Sequence, residues 1–154
     1  MIIGFGNDHA GTELKQALME HVSAMGHTCI DYGAAEGEKA DYPVPGRAVA
    51  EAVRAGEADK GILICGTGIG ISLAANKVKG IRAAVCSDTF SARMCVEHNN
   101  CQILAMGARV VGEGLAVALA DAFLNASFDD GGRHERRVGM IGAIEDAYMR
   151  EEPV

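Results

Sequence analysis

The chain predicts an α/β fold built on a mainly parallel sheet, and three observations point there. Five short apolar runs recur along 154 residues, they alternate with segments of helical periodicity, and glycine is plentiful at 20 residues while aromatics are scarce. Strands that alternate with helices connect through right-handed crossovers, which set helices on both faces of the sheet. The expected arrangement is a three-layer α/β/α, Rossmann-like domain with five strands. Residues 1–154 are enough for one such domain with a core of its own.

The elements follow in order. Ile2 to Gly6 is the first strand candidate, and Leu14, Leu18, Val22 and Met25 then share one face of a helix over Gly11 to Met25, with Gly26 placed to stop it. Thr28 to Tyr32 is the second strand. The prolines of Asp41 to Pro45 shape a loop before a second helix with Val49, Ala52 and Val53 inward. Gly61 to Cys65 is the third strand and runs directly into Gly66, Gly68 and Gly70. Ile81 to Cys86 is the fourth, followed by a helix that closes at His98-Asn99-Asn100, where histidine suits the dipole and asparagine the cap. Gln102 to Met106 is the fifth, with Leu115, Leu119, Ala122 and Phe123 on the helix after it. A closing helix from His134 to Arg150 follows the Gly131-Gly132 turn.

Charge and cysteine usage bound the function. A net charge of −7 argues against nucleic acid or an anionic membrane as partner, because both need a broad basic face. A small anion can still bind where cations gather. The cysteines at 29, 65, 86, 95 and 101 are odd in number and form no CxxC pair, so neither a disulfide framework nor a zinc knuckle is expected. No histidine pair has metal-ligand spacing, and a metal site is not expected. The start MIIGFGNDH lacks a basic n-region and no run reaches the length of a membrane span, which leaves a reducing cytoplasm as the expected compartment.

Chemistry concentrates where strands end, since ligands of a parallel sheet bind beyond its carboxyl edge. Asn7-Asp8-His9 follows the first strand, Cys65-Gly66-Thr67-Gly68 the third and Ser87-Asp88 the fourth. A loop almost without side chains leaves backbone N–H groups to face an anion, and a thiol among such donors has a reason to ionise. A cysteine ending a strand is otherwise a small buried hydrophobe, which is the reading for Cys29, Cys86, Cys95 and Cys101. His21 reads as solvated. Arg133 and Arg137 lie at i, i+4, where two guanidinium forks could clamp one phosphate; the plainer reading is a helix terminus salt-bridged to Glu135. CGTGIGIS lacks the GK[ST] ending of a P-loop, and its glycine spacing misses the dinucleotide fingerprint.

Taken together, NDHAGTELK at 7–15, DYP at 41–43, ICGTGIGISLAANKVKGIRAAVCSD at 64–88, EHNNCQILAMGARVVG at 97–112 and GGRHERRV at 131–138 resemble the ribose-5-phosphate isomerase B family, which includes the galactose-6-phosphate isomerase subunits. The resemblance implies a cofactor-free aldose–ketose isomerase, with ribose 5-phosphate and ribulose 5-phosphate as the first expectation. It implies Cys65 as the base, with Thr67 and the loop Gly66 to Gly70, including Gly68, as the cradle of an enediolate. His98 would open the sugar ring, and Asp8 and Asn99 would meet sugar hydroxyls. His9, Arg109, Arg133 and Arg137 match positions that bind substrate, chiefly its phosphate. Some members use a glutamate further along the helix as base; Cys65 places this chain in the cysteine branch. The resemblance further implies a homodimer or homotetramer with sites between subunits and the C-terminal helix packed on a partner. The alternatives are an isomerase of another sugar phosphate, of allose, galactose or erythrose type, a phosphosugar-binding subunit of a heteromeric enzyme, and a small dinucleotide-binding protein.

Overall fold

The computed structural model describes residues 1–149. It holds a five-stranded sheet of β1 (Ile2–Asn7), β2 (Thr28–Asp31), β3 (Lys60–Cys65), β4 (Ala83–Val85) and β5 (Ile103–Gly107) in the order β2-β1-β3-β5-β4. Every neighbouring pair is parallel. The helices are α1 (Thr12–Ala24), α2 (Pro43–Ala55), α3 (Ile69–Ala75), α4 (Thr89–Glu97), α5 (Glu113–Leu124) and α6 (Arg133–Tyr148).

Two apolar clusters sandwich the sheet. On one face Phe5, Ile62, Ile64 and Leu104 pack with Leu18 and Val22 of α1, Ala92 and Val96 of α4, and Leu119 and Phe123 of α5. On the other, Leu63, Ile103 and Ala105 pack with Val49 and Ala50 of α2 and Ile71 and Ala75 of α3. The fully buried β3 and β5 run as near-continuous aliphatic stretches, as strands covered on both faces must. Helix ends obey local chemistry: α2 opens on Pro43 and stops at left-handed Gly56, and α4 starts where Asp88 Oδ1 accepts the Ser91 N–H at 2.7 Å. That hydrogen bond also holds the Asp88 carboxyl below its usual range. The N-cap role accounts for Asp88 at this strand end.

The sequence expectations shift in a few places. Gly11 is the N-cap of α1 rather than its first residue. The fourth strand is shorter than Ile81 to Cys86, and side chains take up backbone groups along its edge. Asn76 both donates to the Ala83 carbonyl and accepts its N–H, each at 2.8 Å, and Gln102 Oε1 accepts the Arg82 N–H. A side-chain amide in that position covers an edge that would otherwise be open to pairing. His21 is not simply solvated: its Nε2 lies 2.7 Å from Asp121 Oδ1 and ties α1 to α5.

Helix α6 begins at Arg133, one residue earlier than expected, and Arg150 lies outside the described residues. Toward its end it is tied to the rest of the chain by polar contacts: Glu145 accepts the Gly80 N–H and Asp146 pairs with Lys79. His134 is its one buried side chain among the described residues, while Met140, Ile141, Ile144 and Tyr148 are exposed.

Candidate active site

Cys65 is the last residue of β3, and the register pairs Ile64 with Asn7, so Asp8 follows at the adjacent strand end. The thiol is buried, and its sulfur accepts the Gly68 N–H at 3.1 Å. A short, tight loop makes this possible. Gly68 has φ of +79°, and a Cβ there would stand 2.8 to 3.1 Å from the backbone of Met106 in β5. The Ala108 N–H donates to the Cys65 carbonyl and the Arg109 N–H to that of Gly66, so the loops after β3 and β5 interlock through main chain.

The remaining residues of that edge fall around the thiol. Thr67 is exposed and its Oγ1 accepts the Ile69 N–H at 3.3 Å. The Arg109 side chain lies over Gly66, whose added Cβ would meet Nη1 at 3.5 Å. Gly70 faces the Tyr42 ring, which a Cβ would strike at 2.7 Å. Asp8 is buried, and its Oδ1 accepts the Ala10 N–H at 2.9 Å. That Asx turn aims the chain into α1 and exposes His9.

His9 and Arg109 line a cleft of about 780 Å³ together with Glu13, Glu20, Glu36 and Glu113. Its floor is braced from below. Buried Lys15 donates to Asp31 at 2.8 Å and to the Ala34 carbonyl at 2.9 Å, and Asn7 Nδ2 donates to the Asp8 carbonyl at 2.8 Å.

The other half of the expected set lies elsewhere. Because α4 runs back from the carboxyl edge, its C-cap His98 comes down at the amino edge, where Arg82, just before β4, donates to the carbonyls of Asn99 and Asn100. From Gly61, paired with Ile103 at that edge, to Cys65, paired with Gly107, four residues of strand separate the two ends by roughly 13 Å. Arg133 and Arg137 stay with His98. The Asp129 N–H donates to the Glu97 carbonyl and brings the start of α6 against the end of α4. There the His98 and His134 rings stack with centroids 4.1 Å apart, and Arg133 Nε donates to His134 Nε2 at 3.2 Å. Glu135 accepts the Gly131 N–H at 3.1 Å.

The chain therefore brings Cys65, Gly66, Thr67, Gly68, Gly70, Asp8, His9 and Arg109 together, and gathers His98, Asn99, Arg133 and Arg137 at the opposite edge. Sequence reasoning missed Tyr42 and His134. Tyr42 and His134 both lie in segments that carry the family resemblance, but neither was given a role: Tyr42 sits among the prolines of a loop, and the stacking partner of His134 lies 36 positions earlier. Among the described residues, no group of three or more His, Cys, Asp or Glu side chains could hold a metal ion.

Fold and site define a class: a three-layer α/β/α domain with a buried thiol and a glycine-rich loop at the carboxyl edge of its sheet. The profile of the Ribose/Galactose Isomerase family matches residues 3–141. The chain is 51% identical over 143 residues to ribose-5-phosphate isomerase B of Escherichia coli, covering 93% of this chain and 95% of that protein. It is 44% identical over 128 residues to galactose-6-phosphate isomerase subunit LacB of Clostridium acetobutylicum, covering 83% and 74%. The solved structure of ribose-5-phosphate isomerase B from Clostridium thermocellum, 54% identical, matches with a TM-score of 0.93 over 96% of this chain and 99% of that one. The chain belongs to the ribose/galactose isomerase family and is a sugar-phosphate isomerase.

Proposed function

We propose that this domain interconverts ribose 5-phosphate and ribulose 5-phosphate through an enediolate, with Cys65 as the base. The observation that carries the reading is the Gly68 N–H aimed at Cys65 Sγ. On the open-chain aldose, the thiolate takes the C2 proton, the C–H electron pair forms the C1–C2 double bond, and O1 takes the negative charge. The same sulfur returns the proton to C1, while the proton on O2 passes to O1 as the C2 carbonyl forms. Backbone N–H groups of the Gly66 to Gly70 loop and the Thr67 hydroxyl would hold the charge on O1. No step calls for a metal or organic cofactor.

A second copy of the chain would complete the site. His9 and Arg109 share their cleft with four glutamates, which is weak provision for a phosphate dianion. Arg133 and Arg137 of a partner, arriving with its His98 and Asn99, would supply the missing charge and the group that opens the ring. The exposed Met140, Ile141 and Ile144 of α6, with Ile69 and Leu73 of α3, offer apolar surface for that pairing. The family likeness favours a pentose phosphate, since the relatives nearest in identity described above carry ribose 5-phosphate in their names. Five free cysteines suit a reducing cytoplasm.

Two variants test this together. Cys65→Ala should abolish isomerisation and solvent exchange at C1 and C2 while the sugar phosphate still binds; retained turnover would remove Cys65 as base. Mixing dissociated and reassociated Cys65→Ala with His98→Asn should restore roughly a quarter of wild-type activity, because half the dimers are mixed and each holds one intact site. Absence of recovery, with mixed dimers verified by mass, would place both residues in the same subunit's site.

A further inference from the structure

His134 sits between two groups that the reading above assigns to chemistry. Its ring lies flat on His98, with planes 2° from parallel, and its Nε2 accepts from Arg133 Nε. A guanidinium has no lone pair to offer and does not deprotonate, so Nε2 must carry the lone pair and the single proton belongs on Nδ1. That assigns the tautomer from its partner and makes the ring neutral. The charged and titratable groups facing it agree: burial, then His98 and Arg133, push the imidazole down from its ordinary value, Arg137 adds to them, and Asp129 opposes.

The bland alternative is a buried histidine that merely packs. It fits poorly here, because His134 belongs to neither apolar cluster and the helix that carries it buries no other described side chain. The His98 ring covers one face of its imidazole and Arg133 meets its Nε2. The side chain is held by the polar groups it touches.

We propose that His134 is a positioning residue for the isomerase reaction: its face fixes the His98 imidazole that opens the sugar ring, and its Nε2 fixes the Arg133 guanidinium that receives the phosphate. The inference rests on the roles given to His98 and Arg133 above. An imidazole on a helix C-cap with nothing against its face can rotate about two bonds, and a ring-opening group out of place by about 1 Å can lose about 10²-fold in rate. An arginine without a fixed partner keeps its charge and loses its aim.

The two contacts separate experimentally. Ribulose 5-phosphate carries its phosphate on O5 and cannot close to a furanose, so exchange of its C1 proton in D2O needs the base and the oxyanion donors but no ring opening. Ribose 5-phosphate is mostly cyclic, and its turnover needs both. His134→Gln keeps an acceptor for Arg133 without a ring; kcat on ribose 5-phosphate should fall about 10- to 100-fold, with KM and ribulose exchange within about twofold of wild type. His134→Phe keeps a ring without an acceptor; kcat should be retained while KM rises about fivefold. Wild-type kcat in His134→Gln, or equal loss in both reactions, overturns the His98 half. An unchanged KM in His134→Phe overturns the Arg133 half. His98→Asn is run alongside: if it slows ribulose exchange as much as ribose turnover, His98 is not the ring-opening group, and the reading beneath the inference fails on its own evidence. Selective loss in His98→Asn with none in His134→Gln leaves that reading standing and removes the inference.

Discussion

Gly68→Ala adds one methyl group, and the structure says what that methyl costs. The backbone at this position has φ of +79°, a conformation that costs an L-residue roughly 1–2 kcal/mol. The new Cβ would also stand 2.8 Å from the Met106 carbonyl carbon and 3.0 Å from its Cα. Met106 is fully buried in β5 and pairs with Ile64 of β3, so it cannot retreat without opening the centre of the sheet. The contact adds an overpacking cost of the same order, bringing the total to about 3 kcal/mol. For a chain of this size that is roughly 6–12 °C of Tm.

Gly26 provides the internal control. It has φ of +88° and nothing within 4 Å of its would-be Cβ. Gly26→Ala should therefore cost only the backbone share, about 1.5 kcal/mol or roughly 3–6 °C. Calorimetry and initial rates on ribose 5-phosphate read the difference. Gly26→Ala should keep wild-type kcat, whereas Gly68→Ala pushes the Gly68 N–H off the Cys65 sulfur and should lose about 10²-fold. A Gly68→Ala protein that melts no lower than Gly26→Ala, or that turns over at the wild-type rate, would refute the close-contact reasoning.

Further outcomes follow from the braces and charges of the site. Lys15→Met leaves the buried Ala34 carbonyl without its best donor while Asp31, 41% exposed, can rehydrate, so urea titration should show a loss of about 1–3 kcal/mol; an unchanged midpoint would mean the lysine is not holding that loop. The lowered pKa of His134 has a definite sign. The unfolded chain, with histidine near 6.5, binds more protons than the folded one just below that pH, so its contribution to stability is full above about pH 6.5 and lost as pH falls toward the folded value. Guanidinium midpoints at about pH 7.5 and 5.5 should therefore differ less in His134→Phe than in wild type, and an equal decline in both would remove the linkage.

The sequence revealed the sheet more clearly than the site. All five strands were visible as short apolar runs, most plainly β1, β3 and β5, which are buried along nearly their whole length and can contain little but aliphatic residues and glycine. The order β2-β1-β3-β5-β4 was not visible, since which strand inserts beside which depends on crossovers and not on the runs themselves. Cys65, Asp8 and Arg109 fell together because each ends or closely follows a strand, and strand ends share an edge. His98 followed a helix, and a helix after a parallel strand delivers its end to the far edge; motif adjacency in sequence hid that separation. Edge chemistry was equally hidden, with Asn76 closing β4 from within a segment that reads as a helix end. His21 looked solvated for the same reason: its partner Asp121 is 100 positions away.

The interlocked loops after β3 and β5 have a thermal consequence. Catalytic loops usually belong to the least stable part of a fold and open well before the core does. Here the Cys65 loop is threaded against Met106, Thr67 lies where a Cβ on Gly107 would stand, and main-chain bonds join Cys65 and Gly66 to Ala108 and Arg109. Those amides can exchange with solvent only when β3 parts from β5, at the centre of the sheet. The Cys65 loop then has no melting point of its own and opens only with the sheet.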